Sequence, residues 1–164
     1  MLFNSLEFIF IFLPLCLAAF YGVRWLFPGA LRSLLVVLLV ASLVFYGYWN
    51  LDYLWLLAGS VIFNYGCGEL LRRYPGTGLL GIGIALNILL LGIFKYTGFL
   101  VSEIGGLFHA GWSAPEILLP LAISFFTFQQ IAYLVDCYRG ETAGKSGLLE
   151  YAVFVSFFPQ LIAG

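Results

Sequence analysis

Long apolar runs dominate this chain, each close to the length of one membrane crossing and separated by short clusters of polar and charged positions. A helix that crosses roughly 30 Å of hydrocarbon needs about 20 residues. Five stretches come close to that length, from about Leu6 to Phe27, Ser33 to Leu51, Tyr53 to Leu71, Leu79 to Lys95 and Ile117 to Tyr138. The second carries no charge, and its Leu, Val and Phe residues together contribute roughly -3 to -7 kcal/mol toward insertion. Pro14 interrupts the first run, which a membrane helix tolerates when neighbours satisfy the freed carbonyl. Pro120 falls in the first turn of the fifth, where its missing donor matters little.

Two segments do not fit a simple crossing. Tyr96 to Glu116 is rich in Gly and charge and is expected to form a short interfacial helix plus loop. Leu148 to Gly164 is apolar but short and broken by Pro159, as in a re-entrant segment or the first half of a span. The predicted fold is therefore all-α, a polytopic transmembrane bundle of about five spans in a single membrane domain over residues 1–164. Glu7 replaces the positive region of a signal peptide, so the first run is expected to be a retained helix. The small residues Gly59, Ser60, Gly66, Gly68, Gly78, Gly81, Gly83 and Ala85 are expected to let helices approach closely.

Composition strengthens the same picture. With 63% hydrophobic and 9% charged residues, and a mean hydropathy of +1.05, the apolar surface of an 18.2 kDa fold exceeds what its polar groups could cover in water. Lipid is its expected solvent. A net charge of -1 gives no basic field for nucleic acid.

The positions of the charges matter more than their sum. Arg24 and Arg32 share the first loop, Arg72 and Arg73 the third, and Arg139 and Lys145 the loop after the fifth span, which leaves only Lys95 opposite. Short loops rich in Lys and Arg stay in the cytoplasm. An outside N-terminus and an outside Tyr96 to Glu116 segment follow. Trp25, Trp49, Trp55 and Trp112 fall near span ends, as interfacial aromatics do.

Candidate chemistry is sparse. Cys16, Cys67 and Cys137 lie far apart without CxxC spacing or neighbouring histidines, which favours buried structural thiols over a metal or redox site. His109, the single histidine, has no Ser, Cys or carboxylate at triad spacing and is expected in an outside loop rather than as a base. On the fifth span Gln129, Tyr133 and Asp136 recur at i, i+4 and i+7 and share one face. A polar stripe in lipid either bonds to neighbouring helices or walls a polar cavity, and both readings stand. Asn64 and Asn87, alone on their helices, are expected to be packing contacts.

Several blocks carry a resemblance. The start MLFNSLEF, the FKY at Phe94 to Tyr96, the run LAISFFTFQQIAYLVDCYRGE from Leu121 to Glu141, and the closing YAVFVSFFPQLIAG resemble the membrane-bound O-acyltransferases, in the branch that O-acetylates alginate, peptidoglycan and other extracytoplasmic polysaccharides. The resemblance implies transfer of an acetyl group from a cytosolic donor such as acetyl-coenzyme A to a polysaccharide hydroxyl outside, in a bacterial inner membrane, with periplasmic or membrane partner proteins. By position in those motifs it implies that Gln129, Tyr133, Asp136, Tyr138, Arg139 and Gln160 line or support the funnel. Members of this family are far longer, and the histidine taken as their base lies C-terminal of the motif that ends here. The chain is thus expected to be an N-terminal fragment that lacks its catalytic residue, and to be inactive alone.

Two other readings compete. The D-alanyl-transfer branch keeps the fold and changes the acyl group, although the start and the SFFTFQ block favour acetyl. A transporter component or other non-enzymatic membrane subunit would also place a polar face on one helix, but the sequence lacks a charged ring or paired broken helices.

Overall fold

A computed structural model describes residues 5–107, 120, 122–142 and 147–163. Every regular element among them is helical. A π-helical turn, Phe8–Phe12, leads into α1 (Leu13–Leu26), followed by α2 (Leu31–Trp49), α3 (Leu51–Arg73), α4 (Thr77–Leu107), α5 (Ile123–Arg139), α6 (Leu148–Ser156) and α7 (Phe158–Ala163). Among the described residues, four helices are long and apolar enough to cross a membrane, over Phe8–Leu26, Leu31–Tyr48, Leu51–Arg73 and Thr77–Thr97.

The π turn resolves the problem posed by Pro14. A proline has no N–H to give the carbonyl four residues back and its ring crowds that carbonyl. Here the Leu13 amide donates instead to Phe8 O, five residues back. The wider turn sets Phe8 and Phe12 together against Phe45 and Phe158, with ring centroids 5.4 to 6.1 Å apart between the two pairs. The Phe158 amide donates to Ser42 Oγ at 3.3 Å, which ties α7 to α2.

A single residue separates α2 from α3. Asn50 is extended, and its side chain accepts from the Asp52 amide at 2.8 Å, an N-cap that starts α3 at once. The helix α3 then runs through the centre of the bundle and packs on α2, α4, α5 and α6. By contrast α1 buries none of its own residues. Trp25 on α1 and Trp55 on α3, 81% and 80% exposed, stand near helix ends, as interfacial anchors do.

Two boundaries differ from expectation. The fourth helix does not stop at Lys95 but continues to Leu107, so the first part of the supposed interfacial segment extends α4. Gly98 and the pair Gly105 and Gly106 lower helix propensity by about 1 kcal/mol each, too little to break a helix already propagating, and no proline intervenes. The fifth helix begins at Ile123, not Ile117, and Pro120 precedes it; Ala122 takes a left-handed conformation at φ 55° as its N-cap. At 17 residues α5 is about 26 Å long, and most of it is enclosed by neighbours. The C-terminal stretch is indeed broken, into two helices too short to cross alone, with the break at Phe157, two residues ahead of Pro159. His109, Trp112 and Lys145 lie outside the described residues.

The pairs that touch fix relative directions. Gly68 meets Tyr133 and Gly83 meets Leu134, while Asn64 bonds both Asn87 and Gln130, so α3 and α5 run parallel and α4 runs opposite to both. Tyr53 packs on Phe94, ring centroids 6.0 Å apart. Arg72, Arg73 and Arg139 therefore share one end of the bundle, and Lys95 stands at the other.

Candidate functional site

Two polar constellations interrupt the apolar interior. The first is an amide network halfway along α3, α4 and α5. The Asn64 amide donates to Asn87 Oδ1 at 3.1 Å, to Gln130 Oε1 at 3.0 Å and to Ser60 O at 2.9 Å. Asn87 returns a bond to Asn64 Oδ1 at 2.7 Å and bonds Gly83 O at 2.8 Å. Gln130 donates to Ser60 Oγ at 3.0 Å, and the Ser60 hydroxyl donates to Leu57 O at 2.8 Å. All four side chains are buried. An unpaired amide in hydrocarbon is costly, and each of these finds a partner on another helix, so the network fixes the register of three helices at once. Beside it, a groove of about 410 Å³ opens between α3 and α4, lined by Trp55, Gly59, Phe63, Leu86, Leu89 and Ile93 among others.

The second lies at the end of the bundle that carries Arg72. The Arg72 guanidinium forms an ion pair with Glu69 on the same helix, donates through Nη2 to Tyr133 Oη at 3.1 Å, and lies 5.7 Å from the centroid of the Tyr133 ring. Tyr133 in turn packs against Tyr151 with centroids 4.0 Å apart. Gly68 makes room for this arrangement, because a Cβ there would stand 2.9 Å from Tyr133 Cζ. Cys137, one turn beyond Tyr133, completes the cluster.

The structure separates the six residues taken from the motifs. Tyr133 enters the Arg72 cluster. Gln129 is buried, and its Oε1 has no partner among the described residues. Tyr138 is half-buried, while Asp136, Arg139 and Gln160 are exposed. Gln130 was not singled out, yet it makes the interhelical bonds that the polar stripe led one to expect of Gln129. A signal existed: Phe126, Thr127, Gln130, Tyr133, Leu134 and Cys137 recur at helical spacing and are all buried, so the inward face is centred about 100° round from the chosen stripe. Asn64 and Asn87 are packing contacts, as expected, and they contact each other. Of the small residues, Gly68 and Gly83 meet α5 side chains, whereas Gly59, Gly66, Gly78 and Gly81 have no neighbour within 4 Å of where a Cβ would stand. Only the small residues on the α5 side serve close approach. Cys16, Cys67 and Cys137 are free thiols.

These apolar helices, held by buried amides, make the chain a multi-pass membrane protein. Its relatives narrow the class. The probable alginate O-acetylase AlgI of Azotobacter vinelandii is 39% identical over 173 residues, covering 100% of this chain and 34% of that protein. The probable alginate O-acetylase AlgI of Pseudomonas aeruginosa is 39% identical, with 100% of this chain and 32% of that protein covered. The peptidoglycan O-acetyltransferase of Helicobacter pylori is 38% identical over 198 residues, covering 100% of this chain and 36% of that protein. The resemblance to the alginate and peptidoglycan O-acetylase branch is thereby shown along the whole chain, which spans about a third of the length of the curated relatives it matches. No family model and no solved structure matches the chain.

Proposed function

We propose that this chain is one part of a membrane O-acetyltransferase that takes an acetyl group from a cytosolic thioester donor, such as acetyl-coenzyme A, and delivers it to hydroxyls of an extracytoplasmic polysaccharide, alginate-like or peptidoglycan. The observation that carries the reading is identity of 37–39% to proteins so named across the whole chain. The physics agrees with it. A polar thioester and a sugar hydroxyl can meet at a bilayer only inside a protein bundle with polar groups in its interior. On this reading the end carrying Arg72, Arg73 and Arg139 faces the cytoplasm of a bacterial inner membrane, Lys95 and the N-terminus face outside, and Gln129, Tyr133, Asp136, Tyr138, Arg139 and Gln160 line or support the path. The general base is supplied from elsewhere than His109, and periplasmic or membrane partners complete acceptor transfer.

A chimaera tests the reading. This chain replaces the aligned third of the Azotobacter vinelandii protein in a strain deleted for it, and acetyl content of the alginate is measured. Restored acetylation supports the reading, and loss of acetylation on Asp136→Ala or Arg139→Ala at equal membrane level assigns those residues to the path. An abundant, membrane-inserted chimaera with no acetylation overturns the reading, and unchanged acetylation removes those two residues from it.

A further inference from the structure

The turn between α1 and α2 encloses a cavity that belongs to neither polar constellation. It holds about 310 Å³ and is lined by Arg24, Phe27, Pro28, Gly29, Leu31 and Leu34. The turn is fixed by its own backbone: the Ala30 amide donates to Phe27 O at 3.2 Å and the Leu31 amide to Gly29 O at 3.0 Å, with Gly29 at φ 96°. Because α2 and α3 are joined by one residue and pack on each other, they run antiparallel. The turn therefore lies at the end of the bundle that carries Arg72. Trp25, exposed and next to Arg24, sets this level at the lipid headgroups, where interfacial tryptophans sit.

The charges around the cavity are of one sign. Between Glu7 and Asp52 the sequence holds two arginines, Arg24 and Arg32, and no acid. Glu7 stands at the far end of the first span, where its carboxylate accepts from the Tyr48 hydroxyl at 3.1 Å. Among the described residues the one ion pair joins Arg72 to Glu69, so Arg24 meets no carboxylate. The first turn of α2 adds no acid and no side-chain cap, which leaves its positive end unopposed. The last turn of α1 favours a cation, which accounts for Arg24 on that helix but not for the cavity it walls.

We propose that this cavity binds the headgroup of an anionic phospholipid, with Arg24 holding the phosphodiester and Phe27, Leu31 and Leu34 covering the glycerol backbone. A planar guanidinium matches phosphate oxygens through paired N–H donors, and basic pockets between helices at a membrane surface take anionic headgroups. Volume limits the ligand. At about 310 Å³ the cavity is at the small end of ligand sites and admits a headgroup, not a whole lipid. The acyl chains then lie along α1, which buries none of its own residues and so offers its surface to lipid. A zwitterionic lipid would bring a second cation to Arg24, so a headgroup with net negative charge is preferred. Such a site needs the membrane but not acetyl transfer, and it serves in either orientation of the chain.

Native mass spectrometry of the full chain in detergent, titrated with phosphatidylglycerol or phosphatidylcholine, counts the lipids retained. One phosphatidylglycerol is expected to bind at least about tenfold more tightly than phosphatidylcholine, and Arg24→Gln to weaken it at least about tenfold, as loss of charge-assisted paired bonds does. Arg24→Lys keeps part of the affinity. Arg32, exposed on α2 but not on the cavity wall, is the control for diffuse attraction, and Arg32→Gln is expected to lose no more than about fivefold, the effect of one surface cation. Leu34→Trp keeps both arginines, fills the cavity and is expected to abolish the preference for phosphatidylglycerol. Inorganic phosphate in large excess should leave the lipid in place. Equal losses in Arg24→Gln and Arg32→Gln overturn the site, and so do equal binding of the two lipids, displacement by phosphate, or a Leu34→Trp chain that keeps the preference. Arg24 is exposed, so Arg24→Gln leaves the packing intact and decides the matter if Leu34→Trp does not fold.

Discussion

Replacing Asn64 by leucine tests whether the amide network holds α3, α4 and α5 in register. The substitution conserves approximate volume but removes the contacts at 3.1 and 3.0 Å that Asn64 donates and the one at 2.7 Å that it accepts. Interhelical hydrogen bonds in bilayers average about 0.6 kcal/mol and reach about 1.7 kcal/mol, so their loss alone costs about 2 kcal/mol. Gln130 Oε1 and one face of the Asn87 amide are also left buried without partners, which adds about 1 to 2 kcal/mol. The expected destabilisation is about 3 to 4 kcal/mol, and the double variant Asn64→Leu/Asn87→Leu should be less unstable than the two singles together by about 1 kcal/mol, because it removes an orphaned group along with its former partner. Reversible unfolding in mixed micelles, titrated with dodecyl sulfate and followed by tryptophan fluorescence, measures both quantities. Ile88→Leu, at an exposed site one residue along α4, serves as the control. The reasoning fails if Asn64→Leu unfolds at the same detergent fraction as the control, or if the two singles add without coupling.

Two more predictions test the site and the topology. Gly68→Ala must displace Tyr133 from its bond with Arg72, since a Cβ would stand 2.9 Å from the ring's Cζ; a loss of about 1 to 3 kcal/mol is expected from such overpacking, against almost none for Gly59→Ala, which has open space, and the same unfolding titration distinguishes them. Tyr74→Cys, just past α3, should resist an impermeant maleimide in intact cells and react after permeabilisation, while Asp52→Cys at the other end of α3 should react at once; the reverse pattern would invert the orientation argued from the arginines.

The positions of the crossings were legible because a membrane helix must satisfy its own backbone and be apolar over a set length, and both demands are written in consecutive residues. For that reason Leu31–Trp49 and Leu51–Arg73 lie within two residues of the expected spans. What failed was local competition. Glycines between Tyr96 and Leu107 suggest a break, yet a helix already under way needs a stronger signal than a glycine to stop. Pro14 interrupts the first run, and the structure accommodates it with a π turn whose effect, the joining of Phe8 and Phe12 to Phe45 and Phe158, depends on residues more than 30 and 140 positions away.

The candidate site was legible only in part. That α5 carries a polar stripe could be read from its spacing, and Tyr133, which enters the Arg72 cluster, was found that way. Which of its faces is turned inward depends on α3 and α4, because in lipid a helix gains little from hiding apolar side chains and orients instead by small residues and polar partners. Periodicity therefore pointed to Gln129 and Asp136, while packing selected Gln130 and Cys137. By itself the sequence determined that the chain enters a membrane, roughly where it crosses, and which proteins it resembles, since each of these depends on composition and order along one strand of chain. Only the tertiary structure decided that Ser60, Asn64, Asn87 and Gln130 share one network and that Arg72, Tyr133, Cys137 and Tyr151 share another cluster, because buried polar groups choose partners by proximity in space, and residues up to 70 apart in sequence bond there for want of water.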